Sequence, residues 1–287
     1  MIKTVIKFLL VVVVYTLVYM ICNAVFPFSR SFRELEAPND SMAMLYLLLD
    51  SVWVCFVIYF IVRNSGWKGI KLSGSVVFVI FFVQFFMTQI ETLLFGSAFK
   101  AITGFDILLI MLAGLPPLLA ASPLAVKFFG NRDIAPGTIT LNLKSTAVKL
   151  FIIGIIYLFI YMFFGYFVAW QFTDLRIFYS GSAEKSGFFG QMLNNLADKP
   201  FIFPFQIIRG ILFSLFILPL RKMILNNRSF IISVCLVYLC PAIMLIIPNP
   251  LFPDIVRIGH LIEMTSSMLL FGIITGYILK NAKPVTA

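Results

Sequence analysis

Long apolar runs, separated by short polar segments, constrain this chain more than any other feature of its sequence. A helix needs about 20 consecutive apolar residues to cross the hydrocarbon core of a bilayer, and the runs are that long or nearly so. A chain that is 61% apolar and 12% charged is not an ordinary soluble domain. The sequence predicts an all-α polytopic bundle of about eight transmembrane helices in a single domain over residues 1–287. The predicted spans are 6–27, 44–62, 75–98, 106–126, 148–170, 201–220, 229–248 and 256–279.

The Lys and Arg residues are unevenly distributed, and their distribution predicts the orientation of the helices. With the N-terminus in the cytoplasm, the inner segments hold most of the basic residues and, among the acids, only Asp133. Cytoplasmic loops of membrane proteins carry such an excess of basic residues. We therefore expect a multi-pass protein of the cytoplasmic cell membrane with both termini in the cytoplasm. The first run is too long for a cleaved signal peptide, so we interpret it as a retained helix.

The net charge of +10 does not indicate nucleic-acid binding, because the basic residues form no patch interleaved with aromatic side chains. The four cysteines fall inside predicted spans without metal-ligand spacing, and the chain has a single histidine, His260. We therefore expect no metal site and no cofactor. The expected partners are the lipid bilayer and an unidentified small molecule or lipid.

Two further patterns concern the organisation of the chain. Lys7 and Tyr15 of the first run match Lys149 and Tyr157 of the fifth at the same offset, which suggests a four-plus-four duplication. Ordinary membrane composition is the alternative explanation.

The outer segment 171–200 has apolar residues at helical spacing, which predicts a short amphipathic helix, either passive in the interface or a lid. The inner segment 130–147 permits at most a small hairpin. The apolar residues of the amphipathic helix are Phe188, Phe189, Met192, Leu193 and Leu196. The two halves of the suggested duplication are residues 1–130 and 143–287.

A few ionisable residues lie inside the predicted spans. Such side chains are costly in hydrocarbon, so they usually face protein or a water-filled cavity. The predicted orientation places all of these ionisable residues in the outer third of the bilayer. Polar residues at helical spacing from them extend the set of candidate site residues. Arg209 is the expected partner of Glu91 or Glu263, since its guanidinium can bind a carboxylate with two hydrogen bonds. The candidate residues for a substrate or proton site are Asp50, Gln84, Glu91, Gln206, Arg209, Arg257, His260 and Glu263.

Three segments of the sequence carry a resemblance to a known family. They are 83–92 (VQFFMTQIET), 205–210 (FQIIRG) and the stretch from Pro248-Asn-Pro to Glu263. Together they resemble the hallmarks of an uncharacterised family of bacterial integral membrane proteins. The resemblance implies a bacterial cytoplasmic-membrane protein and carries no activity with it.

Three functions fit these observations. The first is a transporter of a small molecule or lipid that uses the polar residues as an outward-facing site. The second is an outer-leaflet membrane enzyme, in which Glu91, Glu263 and His260 act as acid–base groups and Arg209 binds an anionic substrate. The third is a structural or assembly factor in which the buried polar network fixes helix packing. The sequence contains no His-Glu-x-x-His, no paired Gly-x-x-Asp and no Gly-x-Ser-Gly motif of the intramembrane proteases.

Overall fold

The computed structural model describes residues 2–35, 41–94, 96, 102–130 and 138–280. The described residues form helices and connecting segments without any β-strand, and eight of the helices are long and apolar enough to cross a membrane. The predicted all-α transmembrane bundle is therefore confirmed. The spans, numbered 1 to 8 in chain order, are Ile2–Val25, Ala43–Asn64, Gly69–Leu94, Gly104–Phe129, Leu143–Gln171, Ile202–Met223, Asn227–Ile246 and Asp254–Leu279.

Three of the spans are interrupted. Span 3 contains a π-helical segment, Phe81–Phe86, between the α-helices Gly69–Ile80 and Met87–Leu94. Spans 4 and 6 each break into two helices just before prolines, which cannot donate the backbone hydrogen bond that would continue the helix. A Cβ atom at Gly114, in the break of span 4, would lie 2.4 Å from the Phe85 ring, so this glycine lets the π-helical segment approach closely. The helices on either side of the breaks are Gly104–Ala113 and Leu115–Phe129 in span 4, and Ile202–Phe216 and Leu218–Met223 in span 6.

In the part of the chain that the structure describes, three short helices lie between the spans, and 3-10 turns end spans 5 and 7. The expected amphipathic helix is present as Phe188–Asp198, and its Phe189 and Leu193 side chains are largely exposed. The same connection contains a second helix, Thr173–Ser180, which the sequence analysis missed. The segment 130–147, which permitted at most a small hairpin, has no strand in its described part, and span 5 begins at Leu143; residues 131–137 lie outside the described residues. The remaining elements are the helix Arg30–Arg33 and the 3-10 turns Ala169–Gln171 and Met244–Ile246.

Contacts between connections define the two ends of the bundle. At the end where span 1 begins, called the proximal end, the Gly66 amide donates a hydrogen bond to the Met223 carbonyl at 2.7 Å. At the other end, called the distal end, the Ser29 amide donates to the Asp106 carboxylate at 2.7 Å. Successive spans therefore alternate in direction, and odd-numbered spans begin at the proximal end.

The order of neighbours in spans 1–4 recurs in spans 5–8. Span 1 contacts spans 2 and 4, and span 5 contacts spans 6 and 8. Span 4 packs on span 3, and span 8 packs on span 7. The two groups of four meet through spans 2 and 3 on one side and spans 6 and 7 on the other. This arrangement suits a duplicated four-helix unit, and the duplication itself stays a prediction.

Candidate functional site

A buried ion pair joins spans 3 and 6 near the distal end. Nη2 of Arg209 donates to Oε2 of Glu91 at 2.6 Å. The Arg209 side chain is 3% exposed and the Glu91 side chain 28% exposed, so the pair lies at the edge of the packed interior. The expected pairing of Arg209 is present with Glu91, one of its two candidate partners.

Aromatic and amide groups surround the Arg209 guanidinium. Its Nη1 donates to Oε1 of Gln206 at 3.0 Å, one turn earlier on span 6. The Tyr157 ring lies 5.8 Å from the guanidinium carbon, within the range of cation–π attraction. Gly210 makes this proximity possible, because a Cβ atom there would lie 2.5 Å from the Cβ of Tyr157. Spans 5 and 6 therefore cross closely beside the ion pair.

A second polar group lies on span 8. Oη of Tyr179 and Nε2 of His260 share a hydrogen bond of 2.9 Å, in which either atom can donate. Nδ1 of His260 lies 4.0 Å from Oε2 of Glu263. Ser267 donates through its hydroxyl to the other oxygen of Glu263 at 3.1 Å. The imidazole thus lies between a phenol and a carboxylate.

The helix Thr173–Ser180 brings Tyr179 to this position. A Cβ atom at Gly259 would lie 2.6 Å from Leu175, so the absence of a side chain there lets this helix lie against span 8. Arg176 fixes its start by donating to the Trp170 carbonyl at 2.7 Å. Burial, and then the nearby carboxylates, raise the pKa of the Tyr179 phenol, which therefore keeps its proton at neutral pH. The spacing of Leu175, Phe178 and Tyr179 was the sequence signal that could have identified this helix.

Electrostatic interactions connect the two polar groups. Glu91 and Glu263 both interact with Tyr157, with Tyr161 and with Tyr179, although they lie on different spans. These interactions place residues of spans 3, 5, 6 and 8 and of the helix Thr173–Ser180 near one another. We call this set the distal cluster, and its members are Glu91, Tyr157, Tyr161, Tyr179, Arg209, His260 and Glu263.

Several buried polar atoms of spans 3 and 6 have no hydrogen-bond partner among the described residues. Both amide atoms of Gln84, on the π-helical segment, are in this position. So are Nε2 of Gln206 and Nε of Arg209. Most buried polar groups in proteins are paired, and the unpaired ones call for an explanation. These atoms can donate to or accept from a bound ligand.

Two of the predicted site residues lie elsewhere. Asp50 is buried on span 2, and its electrostatic neighbours include Tyr15 and Tyr19 of span 1 rather than Arg209. Arg257 donates to Asp254 at 2.8 Å and to the carbonyls of Leu245 and Ile246 at 2.9 Å each, so it joins the end of span 7 to the start of span 8. Neither residue has a described contact with the distal cluster.

The charges of the distal cluster are unevenly matched. Its members include two carboxyl groups, one guanidinium and one imidazole, and the guanidinium is bound to only one of the carboxyl groups. Such a set can bind or release a proton, and it can exchange the partner of its arginine for an external anion. Among the described residues, no group of three or more His, Cys, Asp and Glu side chains is arranged to hold a metal ion.

Comparisons with known protein families, with curated proteins and with solved structures find no match to this chain.

Proposed function

We propose that this chain is a transporter of a small molecule or lipid and that the distal cluster is its substrate- and proton-binding site. In this proposal both termini lie in the cytoplasm, the distal end faces outward, and the membrane is the cytoplasmic membrane of a bacterium. The excess of basic residues in the proximal segments supports the orientation. The resemblance to uncharacterised bacterial membrane proteins supports the source.

The observation that carries the proposal is the Glu91–Arg209 ion pair between the two groups of four spans. Glu91 lies on span 3 and Arg209 on span 6, so the pair bridges the two groups where they meet. Transporters built from repeated units bind their substrates at the interface between the repeats. An ion pair at that interface is a contact that substrate can replace when the two groups move.

Irregular helices beside the cluster support the same function. Span 3 contains the π-helical segment Phe81–Phe86 two turns before Glu91. Single π-helical turns are frequent at functional sites, and interrupted membrane helices are tolerated where they face protein or a cavity. The unpaired amide of Gln84 lies on this segment. Span 3 therefore offers both a point of bending and polar atoms for a ligand.

The residues of the cluster have separate roles in this proposal. Arg209 attracts an anionic group of the substrate, which competes with Glu91 for the guanidinium. Glu263, which has no guanidinium partner among its described contacts, binds the proton and passes it to His260. Transport then couples movement of the substrate to protonation of Glu263.

Proteoliposomes test this proposal. Purified protein is reconstituted and adsorbed to a solid-supported membrane, and currents are recorded after exchange to pools of amino acids, organic acids, sugars and lysolipids. We expect a pool that evokes a pH-dependent current in wild type and none in Glu263→Gln. Glu184→Gln is the matched control, because Glu184 is an exposed acid of the distal connection. Equal currents in wild type and Glu263→Gln would contradict the assigned role, and the absence of any current would contradict the transporter.

One observation favours a second function, an outer-leaflet enzyme. The order Tyr179, His260, Glu263 places an imidazole between a hydroxyl and a carboxylate, which suits acid–base catalysis. The two functions differ in their products. Incubation with a bacterial lipid extract and mass spectrometry would reveal new species only if the protein is an enzyme, and Glu263→Gln would abolish them.

A further inference from the structure

The proximal end contains a cavity that is separate from the distal cluster. Its volume is about 130 Å³, far above the roughly 10–15 Å³ that one water needs. The start of span 5 and the ends of spans 6 and 8 form its walls. The segment before span 5 lines one side of the cavity. A hydrogen bond holds this segment against span 6, because the Ile139 amide donates to the Lys222 carbonyl at 3.0 Å.

The cavity is basic. Arg221 of span 6, Lys149 of span 5 and Lys280 after span 8 all contribute to its lining. Among the described lining residues there is no Asp or Glu. The cavity therefore carries a positive charge that no lining acid neutralises.

Arg221 is the deepest of these cations. It is 0% exposed, and its Nε and Nη2 have no hydrogen-bond partner among the described residues. Its Nη1 donates to Oδ1 of Asn227 at a long 3.4 Å, and the guanidinium lies 4.7 Å from the Phe230 ring. A buried guanidinium with two free donor atoms on one edge fits the paired oxygens of a phosphate group.

The other lining groups suit the same ligand. Span 5 begins here, so the positive end of its helix dipole lies at the cavity, although the Ser145 and Thr146 amides already donate to Asn142. The hydroxyls of Ser145 and Thr146 line the wall one turn before Lys149. Leu218 and Leu279 add an apolar wall. The cavity thus combines phosphate-binding donors with a surface on which an acyl chain can lie.

We propose that this cavity binds a phosphate group, held by Arg221, Lys149 and Lys280 at the proximal end of the bundle. Two sources share this chemistry, an anionic phospholipid of the adjacent leaflet and free phosphate. Basic pockets between membrane helices are known to hold anionic headgroups. The apolar wall and the position at the end of the spans favour the lipid.

The test uses the full chain, purified in detergent and stripped of lipid. Phosphatidylglycerol, phosphatidylcholine and inorganic phosphate are each titrated, and both the thermal unfolding temperature and the bound mass in native mass spectrometry are recorded. We expect phosphatidylglycerol to bind and to raise the unfolding temperature, and phosphatidylcholine to have little effect, because a ligand that binds only the folded state stabilises it. Stabilisation by inorganic phosphate to the same degree would identify free phosphate as the ligand.

The test variants change lysines of the cavity and leave the fully buried Arg221 unchanged. We expect the double change Lys149→Gln with Lys280→Gln to weaken binding by about tenfold or more. The matched control is Lys144→Gln with Lys222→Gln, which removes two exposed charges at the same end that do not line the cavity, and it should change binding by less than about twofold. Equal binding by both double variants, or no binding of either phosphate source by wild type, would overturn the proposal.

Discussion

Two arginines of span 6 are almost fully buried near opposite ends of the bundle, and they differ in what balances their charge. Arg209 has a carboxylate of the protein at 2.6 Å. Arg221 has an aromatic face, one distant amide oxygen and two unpaired donor atoms among the described contacts. A buried charge is stable only when it is compensated. The difference indicates an internal counter-ion at the distal end and an external one at the proximal end.

The source of the counter-ion has different consequences for the two ends of the bundle. An internal partner makes the distal end sensitive to anything that competes for either member of the pair, which suits a site that changes state. An external partner makes the proximal end dependent on the surrounding lipid or solution.

The largest effect is expected from Arg209→Met. The change leaves Glu91 without its cation, and broken buried pairs cost roughly 3–5 kcal/mol of unfolding free energy. Adding Glu91→Gln should recover part of the loss, whereas adding Glu263→Gln should recover less, because Glu263 is not bonded to Arg209 in the described contacts. Thermal or denaturant unfolding in detergent measures all three variants. Equal rescue by the two glutamate changes would contradict the specific pair.

Arg221→Met should have a smaller effect, although Arg221 is at least as buried as Arg209. No carboxylate is stranded, so the change costs the contact with Phe230, the long hydrogen bond to Asn227 and side-chain packing, between zero and about 2 kcal/mol in the absence of phosphate. Unfolding of lipid-free protein is the measurement, with the exposed neighbour change Lys222→Met as control. A loss as large as that of Arg209→Met would mean that Arg221 has an internal counter-ion after all.

Tyr179→Phe removes one hydroxyl and should cost about 0.5–1.5 kcal/mol, the usual net value of one hydrogen bond. It should also change the chemical shifts of the His260 ring in an NMR spectrum, since the phenol contacts Nε2. Tyr46→Phe, on span 2 and outside the cluster, is the control and should leave the histidine signal unchanged. Unaltered His260 chemical shifts in Tyr179→Phe would show that the hydrogen bond is absent in solution.

The smallest effect is expected at an exposed pair. Arg30 and Glu34 are 2.6 Å apart, but both side chains are mostly exposed. Surface ion pairs contribute little, so Arg30→Gln should leave the unfolding temperature unchanged within error. A clear decrease would show that ion-pair geometry alone, and not burial, determines the cost at Arg209.

The sequence predicted the positions of the polar residues along the spans better than their positions around the bundle. Apolar runs gave all eight spans, and shared depth with the cost of an unpaired guanidinium led to the Arg209–Glu91 pair. The position of a residue along a span does not determine which face of the bundle it occupies. Asp50 was therefore grouped with a cluster with which it has no described contact. Arg257 was grouped for the same reason, although its partners are Asp254 and two carbonyls nearby in sequence.

Of three other features, only the helix that carries Tyr179 had a readable signal, which was the spacing of Leu175, Phe178 and Tyr179. The π-helical segment of span 3 depends on close packing against Gly114 of span 4, which is a tertiary contact. Tyr179 lies in a connection for which the sequence indicated one helix rather than two. The basic cavity combines Lys149, Arg221 and Lys280, which are far apart in sequence and meet only in the folded bundle.

Infrared difference spectroscopy of the protein in lipid tests the central claim, that the distal cluster exchanges a proton through Glu263. Spectra are recorded before and after a change of pH, so that only groups that bind or release a proton contribute to the difference. We predict a carbonyl band of a protonated carboxyl group that appears at the lower pH in wild type and in Glu184→Gln and is missing in Glu263→Gln. Identical spectra for wild type and Glu263→Gln would contradict the claim and make the distal cluster a static packing network.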